Sequence, residues 1–199
     1  EIEIERGQRL LISGFSGCGK TTLLSLIAGT LKLQDGDITF DKHEYSKMSS
    51  IILDKFRADH IGYIFQTLNL IPFLSVSENI ALGIKFSSTR KSKVNDLSQE
   101  VIRLITSLGL DKEILNTPID HLSVGQQQRA AVARALLGMP DLILADEPTS
   151  ALDNDTTTKF LREVMNTFDP SHQAIIMVSH DLSIASYFDT VIDFNKHNA

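Results

Sequence analysis

The stretch GFSGCGKT, residues 14–21, constrains the chain more than any other part of it. It fits the spacing G-x-x-x-x-G-K-[ST], and its setting gives the pattern force: the short apolar run RLLIS precedes it and KTTLLSLIAG follows. In the latter, Leu23, Leu24 and Ile27 share one helical face, and Gly29 marks a stop. A strand that turns through glycines directly into a helix predicts a phosphate cradle. Gly14, Gly17 and Gly19 open backbone conformations closed to other residues, so that successive N–H groups point at an anion from the positive end of the helix. Phe15, Ser16 and Cys18 complete the candidate loop. Lys20 is placed to reach the outer phosphates of a nucleotide, Thr21 to offer its hydroxyl to Mg²⁺, and Thr22 to enter the helix beside the same phosphates. Cys18 occupies a variable position and reads as a bystander; the alternative is a thiol made reactive by the helix N-terminus.

The remainder suits an α/β protein. With 199 residues, 42% hydrophobic and 22% charged, the chain fits one globular unit able to bury a core. EIEIE alternates like a half-buried strand, and GDITF and IGYIF read as further strands, while residues 41–60 carry no clear pattern. From 75 to 138 the pattern is helical: SVSENIALGI, LSQEVIRLITSLGL and HLSVGQQQRAAVARAL, with FSSTRKSK as a basic, serine-rich joint. Strands return as DLILAD and AIIMVSH around the helix-like TTTKFLREVMNTF. The layout predicts a sheet core interrupted by a helical insert. A formal net charge of −6, with no run of basic residues, argues against nucleic acid as a partner. Cys18 is the only cysteine, so an internal disulfide is excluded and a reducing, cytoplasmic setting is expected. No apolar run is long enough to span a bilayer and EIEIERGQRL is too charged for a signal peptide, so any membrane must come from another chain.

Polar groups cluster where strands end. In LILADEPTSALD, residues 142–153, Asp146 and Glu147 stand at the end of an apolar strand, where open α/β sheets present ligand-binding groups. Asp146 is placed to hold Mg²⁺ and Glu147 to polarise the water that attacks a γ-phosphate, while Pro148 prevents the strand from running on. His180 ends AIIMVSH, from where an imidazole could touch the γ-phosphate or orient that water; Gln66 ends IGYIF, from where an amide could sense Mg²⁺ or the water. Ser123 is a natural N-cap, and Gln126 three residues later completes a capping box. Gly125 remains unexplained by capping, because glycine in a first helical turn costs stability unless something approaches the backbone closely.

These motifs closely resemble those of the nucleotide-binding subunits of ATP-binding cassette transporters, over nearly the whole chain. GFSGCGKT is similar to the Walker A loop, Gln66 to the Q-loop, LSVGQ to the signature, LILADE to the Walker B strand, SALD with Asp153 to the D-loop, and His180 to the switch histidine. The surroundings of Gln66 and of LADEPTSALD most resemble the lipoprotein-releasing and macrolide-exporter type ATPases. The resemblance implies a P-loop NTPase (RecA-like) sheet core with a small antiparallel β portion and an inserted α-helical signature subdomain. As a single ABC ATPase domain over residues 1–199, it would have 1–66 and 140–199 as the nucleotide-binding core and about 67–139 as the helical part. It implies ATP and Mg²⁺ as ligands, catalysis by Glu147, His180 and Lys20, and metal contacts from Thr21, Gln66 and Asp146. Ser123, Gly125 and Gln126 would cap the γ-phosphate on an opposing subunit, a homodimer being the simplest arrangement. A separate membrane permease would hold the protein at the inner face of the cell membrane.

Two departures stand out. Val124 replaces the first glycine of the family pattern LSGGQ, and a β-branched residue stiffens this turn against phosphate. The earlier strand and adenine-stacking aromatic of the family lie upstream of where EIEIERG begins, so a truncated chain with weakened base binding is expected. The competing readings are a soluble cassette ATPase, for example of the iron-sulfur assembly type, and a degenerate regulatory subunit that binds ATP without turning it over. Absence of sustained heptads argues against the repair and chromosome types, and Glu147 and His180 argue against the degenerate one.

Overall fold

A computed structural model describes residues 2–150 and 152–197. RLLIS forms β1 (Arg9–Ser13), buried beyond its first residue, and the following turn feeds α1 (Lys20–Ile27). GDITF is a strand only at its end: β2 (Thr39–Phe40) pairs antiparallel with β3 (His43–Glu44) across a turn in which Asp41 takes φ 51. The unpatterned stretch then holds a 3-10 turn at Tyr45–Lys47 and α2 (Ser50–His60), capped by Ser49. α2 was illegible because it has no apolar stripe: Ile51 and Ile52 face solvent, while Phe56 and Asp59 are its buried residues.

β4 (Ile61–Ile64) leads into α3 (Val76–Lys85), whose N-terminus is a full capping box of Ser75 and Glu78. The joint FSSTRKSK differs from expectation. It contains α4 (Ser88–Ser92), and its Arg90 is buried, donating to the carbonyls of Ile61, Ala135 and Leu137. Burial brings the Arg90 guanidinium pKa down to about 10, still charged at neutral pH. α5 (Leu97–Ser107) and α6 (Val124–Leu136) complete the insert. β5 (Leu142–Asp146), α7 (Asn154–Thr167), β6 (Ala174–Ser179) and β7 (Thr190–Asp193) follow.

The main sheet runs β4-β5-β6-β1-β7 with every pairing parallel, so the polar ends of β1, β4, β5 and β6 all face one edge of the molecule. EIEIE corrects the sequence reading: residues 2–5 make no ladder, although Ile2 and Ile4 still pack on the core, and Glu1 lies outside the described residues. Alternation there reports one buried side, not a paired backbone. One face of the sheet packs with α3, α5, α6 and α7 in a single core that runs from Leu11 and Ile143 to Ile80, Leu104 and Val132. The other face, with Leu10, Ile12 and Leu144, packs on Leu24 and Ala28 of α1 and its flank. The insert therefore shares its core with the sheet. Two glycines permit this: a Cβ on Gly62 would collide with the carbonyl of Ala135, and one on Gly83 with that of Arg134.

Candidate active site

The phosphate loop is held open by backbone geometry. Gly17 and Gly19 take φ of 82 and 101, values that disfavour any side chain, and Gly19 is the N-cap of α1 without a side-chain cap. The first-turn amides of α1 are thus not spent on a cap. Lys20 is 5% exposed, and its ammonium donates to the carbonyls of Gly14 at 2.7 Å and Phe15 at 3.0 Å, so its stem threads back beneath the loop. Phe15, Ser16, Gly17, Thr21 and Thr22 are exposed, Phe15 strongly so at 77%. A Cβ placed on Gly14 would lie 2.7 Å from Cys18 Sγ, so the thiol folds back over the loop base. Sequence reasoning missed Asn195, whose Oδ1 accepts from Phe15 N–H at 3.0 Å across 180 positions. Nothing local to FNKHNA signals that contact.

Asp146, Glu147 and His180 converge because β5 and β6 are neighbours in register, Asp146 opposite Val178. Glu147 takes φ 46, unusual for a non-glycine residue, and its N–H bonds Val178 O at 3.0 Å. That turn aims its carboxylate, 9% exposed as a residue, at Lys20 Nζ (3.3 Å) and His180 Nδ1 (2.7 Å). While the carboxylate is ionised it can only accept, so the imidazole proton facing it sits on Nδ1. Thr21 donates its hydroxyl to Asp146 Oδ1 at 3.1 Å. Burial, and less strongly the neighbouring Glu147, raise the Asp146 pKa against the opposing pull of Thr21 and Lys20.

Gln66 joins this group. With Thr21, Asp146 and Tyr63 it lines a cleft of about 290 Å³. Burial pushes the Tyr63 phenol up to about 12, so it stays neutral there. Hydroxyl, carboxylate and amide oxygens suit a hard cation that keeps phosphate and water as its remaining ligands, which is how Mg²⁺ binds beside a nucleotide. Such a site needs no cluster of three or more His, Cys, Asp or Glu, and among the described residues there is none. A second cleft, about 310 Å³, is lined by His180, Ser150 and Leu152.

The signature residues stand apart, lining neither cleft. Ser123 Oγ accepts from Gln126 N–H at 3.3 Å, and Gln126 Oε1 accepts from Ser123 N–H at 3.0 Å, the expected capping box. Arg129 supports the turn, donating to Gly125 O at 3.3 Å and pairing with Glu163 of α7 at 2.7 Å. Asp153 caps α7 through Thr156, which lowers its pKa; Ala151 of SALD lies outside the described residues.

Known proteins resemble this chain over most of its length. The family model described as "ABC transporter" matches residues 1–150. The macrolide export ATP-binding/permease protein MacB of Pasteurella multocida is 36% identical over 191 residues, 96% of this chain; the chain spans only 29% of that relative. The bacitracin export ATP-binding protein BceA of Halalkalibacterium halodurans is 36% identical over 192 residues, covering 96% of this chain and 74% of its own. Among solved structures, the dimeric cassette MJ0796 superposes with a TM-score of 0.83 at 30% identity over 97% of this chain and 84% of that one. The same protein, from Methanocaldococcus jannaschii, is also solved as a dimer in a post-hydrolysis state bound to ADP and Pi. Matched by that family model over residues 1–150 and by relatives across 96% of its length, the chain belongs to the ABC transporter family, as one of its ATP-binding, ATP-hydrolysing cassettes.

Proposed function

We propose that two copies of this chain face each other head to tail, each holding Mg²⁺-ATP in its phosphate loop while the partner's Ser123, Gly125 and Gln126 close over the γ-phosphate. The observation that carries the reading is the convergence of Lys20 and His180 on Glu147 beside the phosphate loop. Mg²⁺, held by Thr21 and Asp146 with Gln66 nearby, would neutralise phosphate charge. An incoming phosphate competes with Glu147 for the Lys20 ammonium. The freed carboxylate, steadied by His180, takes a proton from the attacking water as its oxygen bonds the γ-phosphorus. The bond to the bridging oxygen breaks, leaving ADP and inorganic phosphate.

The division into a core of residues 1–66 and 140–199 with a helical part at about 67–139 belongs to this proposal, as does coupling to a membrane permease. None of the described helices is long and apolar enough to cross a membrane. Phe73, 81% exposed beyond Gln66, supports a docking place for a permease segment, which would hold the chain at the inner face of the membrane. The decisive variant is Glu147→Gln, which keeps the shape and loses the base. It is expected to cut ATP turnover at least ~100-fold and, by mass in solution, to shift from monomer to dimer with Mg²⁺-ATP. Retained turnover would overturn the role of Glu147, and a monomer with bound ATP the homodimer.

A further inference from the structure

α6 reaches more of the proposed machine than its first turn. Gln128, 6% exposed, donates through Nε2 to the carbonyl of Pro148 at 3.0 Å. Its Oε1 is buried and, among the described residues, has no hydrogen-bond partner. A stranded acceptor costs stability, so an unbranched apolar side chain of similar length would serve the packing at least as well. What the amide adds is the bond to Pro148.

That bond lies at a sensitive place. Pro148 directly follows Glu147, whose left-handed backbone is fixed on one side by Val178 O. The Pro148 carbonyl, fixed by Gln128, holds the other side. Gln128 also sits five positions after Ser123 on the same helix, roughly 7 Å along its axis, so movement of the signature turn reaches it undiminished.

We propose that Gln128 is a positioning residue linking the two nucleotide sites of the dimer. The signature turn closes on the ATP held by the partner, and the Gln128 amide carries that displacement to the loop that sets this chain's own Glu147. Closure at one site then aligns the base at the other. The inference rests on the head-to-tail reading.

The test compares the wild-type chain with Gln128→Met, which keeps length without the donor, and Gln128→Leu as a second variant. ATP turnover, its dependence on ATP concentration, thermal midpoint and mass in solution of the corresponding Glu147→Gln proteins are measured together. The link requires a wild-type Hill coefficient above ~1 that falls to ~1 in both variants. It also requires kcat lowered about tenfold with KM within about twofold, an unmoved thermal midpoint, and ATP-dependent dimers that still form. Unchanged kcat and cooperativity would overturn it. So would losses of kcat, thermal midpoint and dimer together, since those report a structural role. If the Glu147→Gln protein with native Gln128 dimerises with Mg²⁺-ATP but wild-type turnover shows no cooperativity, the link is overturned and the head-to-tail reading stands; if that Glu147→Gln protein binds ATP and stays monomeric, both are overturned.

Discussion

Asp146 meets opposite demands from folding and from chemistry. Its carboxylate, 4% exposed as a residue at the end of β5, is desolvated and stands next to Glu147, and its pKa is raised accordingly. Between the unfolded and the raised folded value, the native chain holds more protons than the unfolded one, so stability falls as pH rises through that window. The cost persists at neutral pH. Asp146→Asn removes it while an amide oxygen can still accept from Thr21 Oγ1. The variant is expected to melt at a higher temperature than wild type at pH of about 7, with the difference shrinking below the ordinary carboxylate range, under about pH 3. Mg²⁺-dependent ATP turnover should be lost. Thermal scans across pH with an ATPase assay check both; a lower melting temperature at neutral pH would mean that Thr21 and Lys20 outweigh desolvation. Such a trade of stability for function is ordinary at functional sites, and fits the cation role proposed for Asp146.

Among the elements, α6 shows how far local sequence can be read. Its N-cap, period and length were legible in SVGQQQRAAVARAL because capping and helical spacing are properties of neighbours. Its far contacts were not. Arg134 donates to the carbonyls of Leu68 and Asn69, each at 2.6 Å, two residues held at φ 56 and 48 just after Gln66. Consecutive left-handed residues cost roughly 1–2 kcal/mol each, more readily tolerated by asparagine than by leucine. The guanidinium offsets that strain; Arg90 makes similar bonds to unstrained carbonyls at the C-terminal end of α6 and the start of β4. The phosphate loop and the acidic strand end were legible for the same reason as the cap, since their residues are adjacent in the chain. Arg90 in a basic joint and Asn195 near the end carry no local mark of their partners. Arg134→Met, which keeps an unbranched stem, is expected to destabilise the fold by about 2 kcal/mol and to speed amide hydrogen exchange at residues 66–70. Loss of stability without faster exchange there would show that the loop holds itself.

At the scale of the whole molecule, three of the exposed apolar side chains stand in or beside nucleotide motifs: Phe15 in the phosphate loop, Val124 (59%) in the signature turn and Leu182 (60%) just after His180. Each would approach the partner in the proposed head-to-tail dimer, and Val124 is the one whose effect on closure has a clear sign. Ser123 already satisfies the amide of Gln126, so the unspent donors of the helix start are the amides of Val124 and Gly125, the pair that would meet a γ-phosphate. An isopropyl group beside them hinders approach and stabilises the free chain little. Val124→Gly in the Glu147→Gln protein is therefore expected to form dimers at about 3- to 10-fold lower ATP concentration, for a helix cost of only a few tenths of a kcal/mol. Val124→Asp reverses the outcome without harming the fold. A carboxylate in the first turn is favourable for the helix, so the thermal midpoint should hold or rise. The same charge would face the partner's phosphates, and the protein should remain monomeric at every ATP concentration while still binding nucleotide. If the Val124→Asp protein dimerises as readily as its parent, the signature turn does not close on phosphate and the two copies meet through another surface.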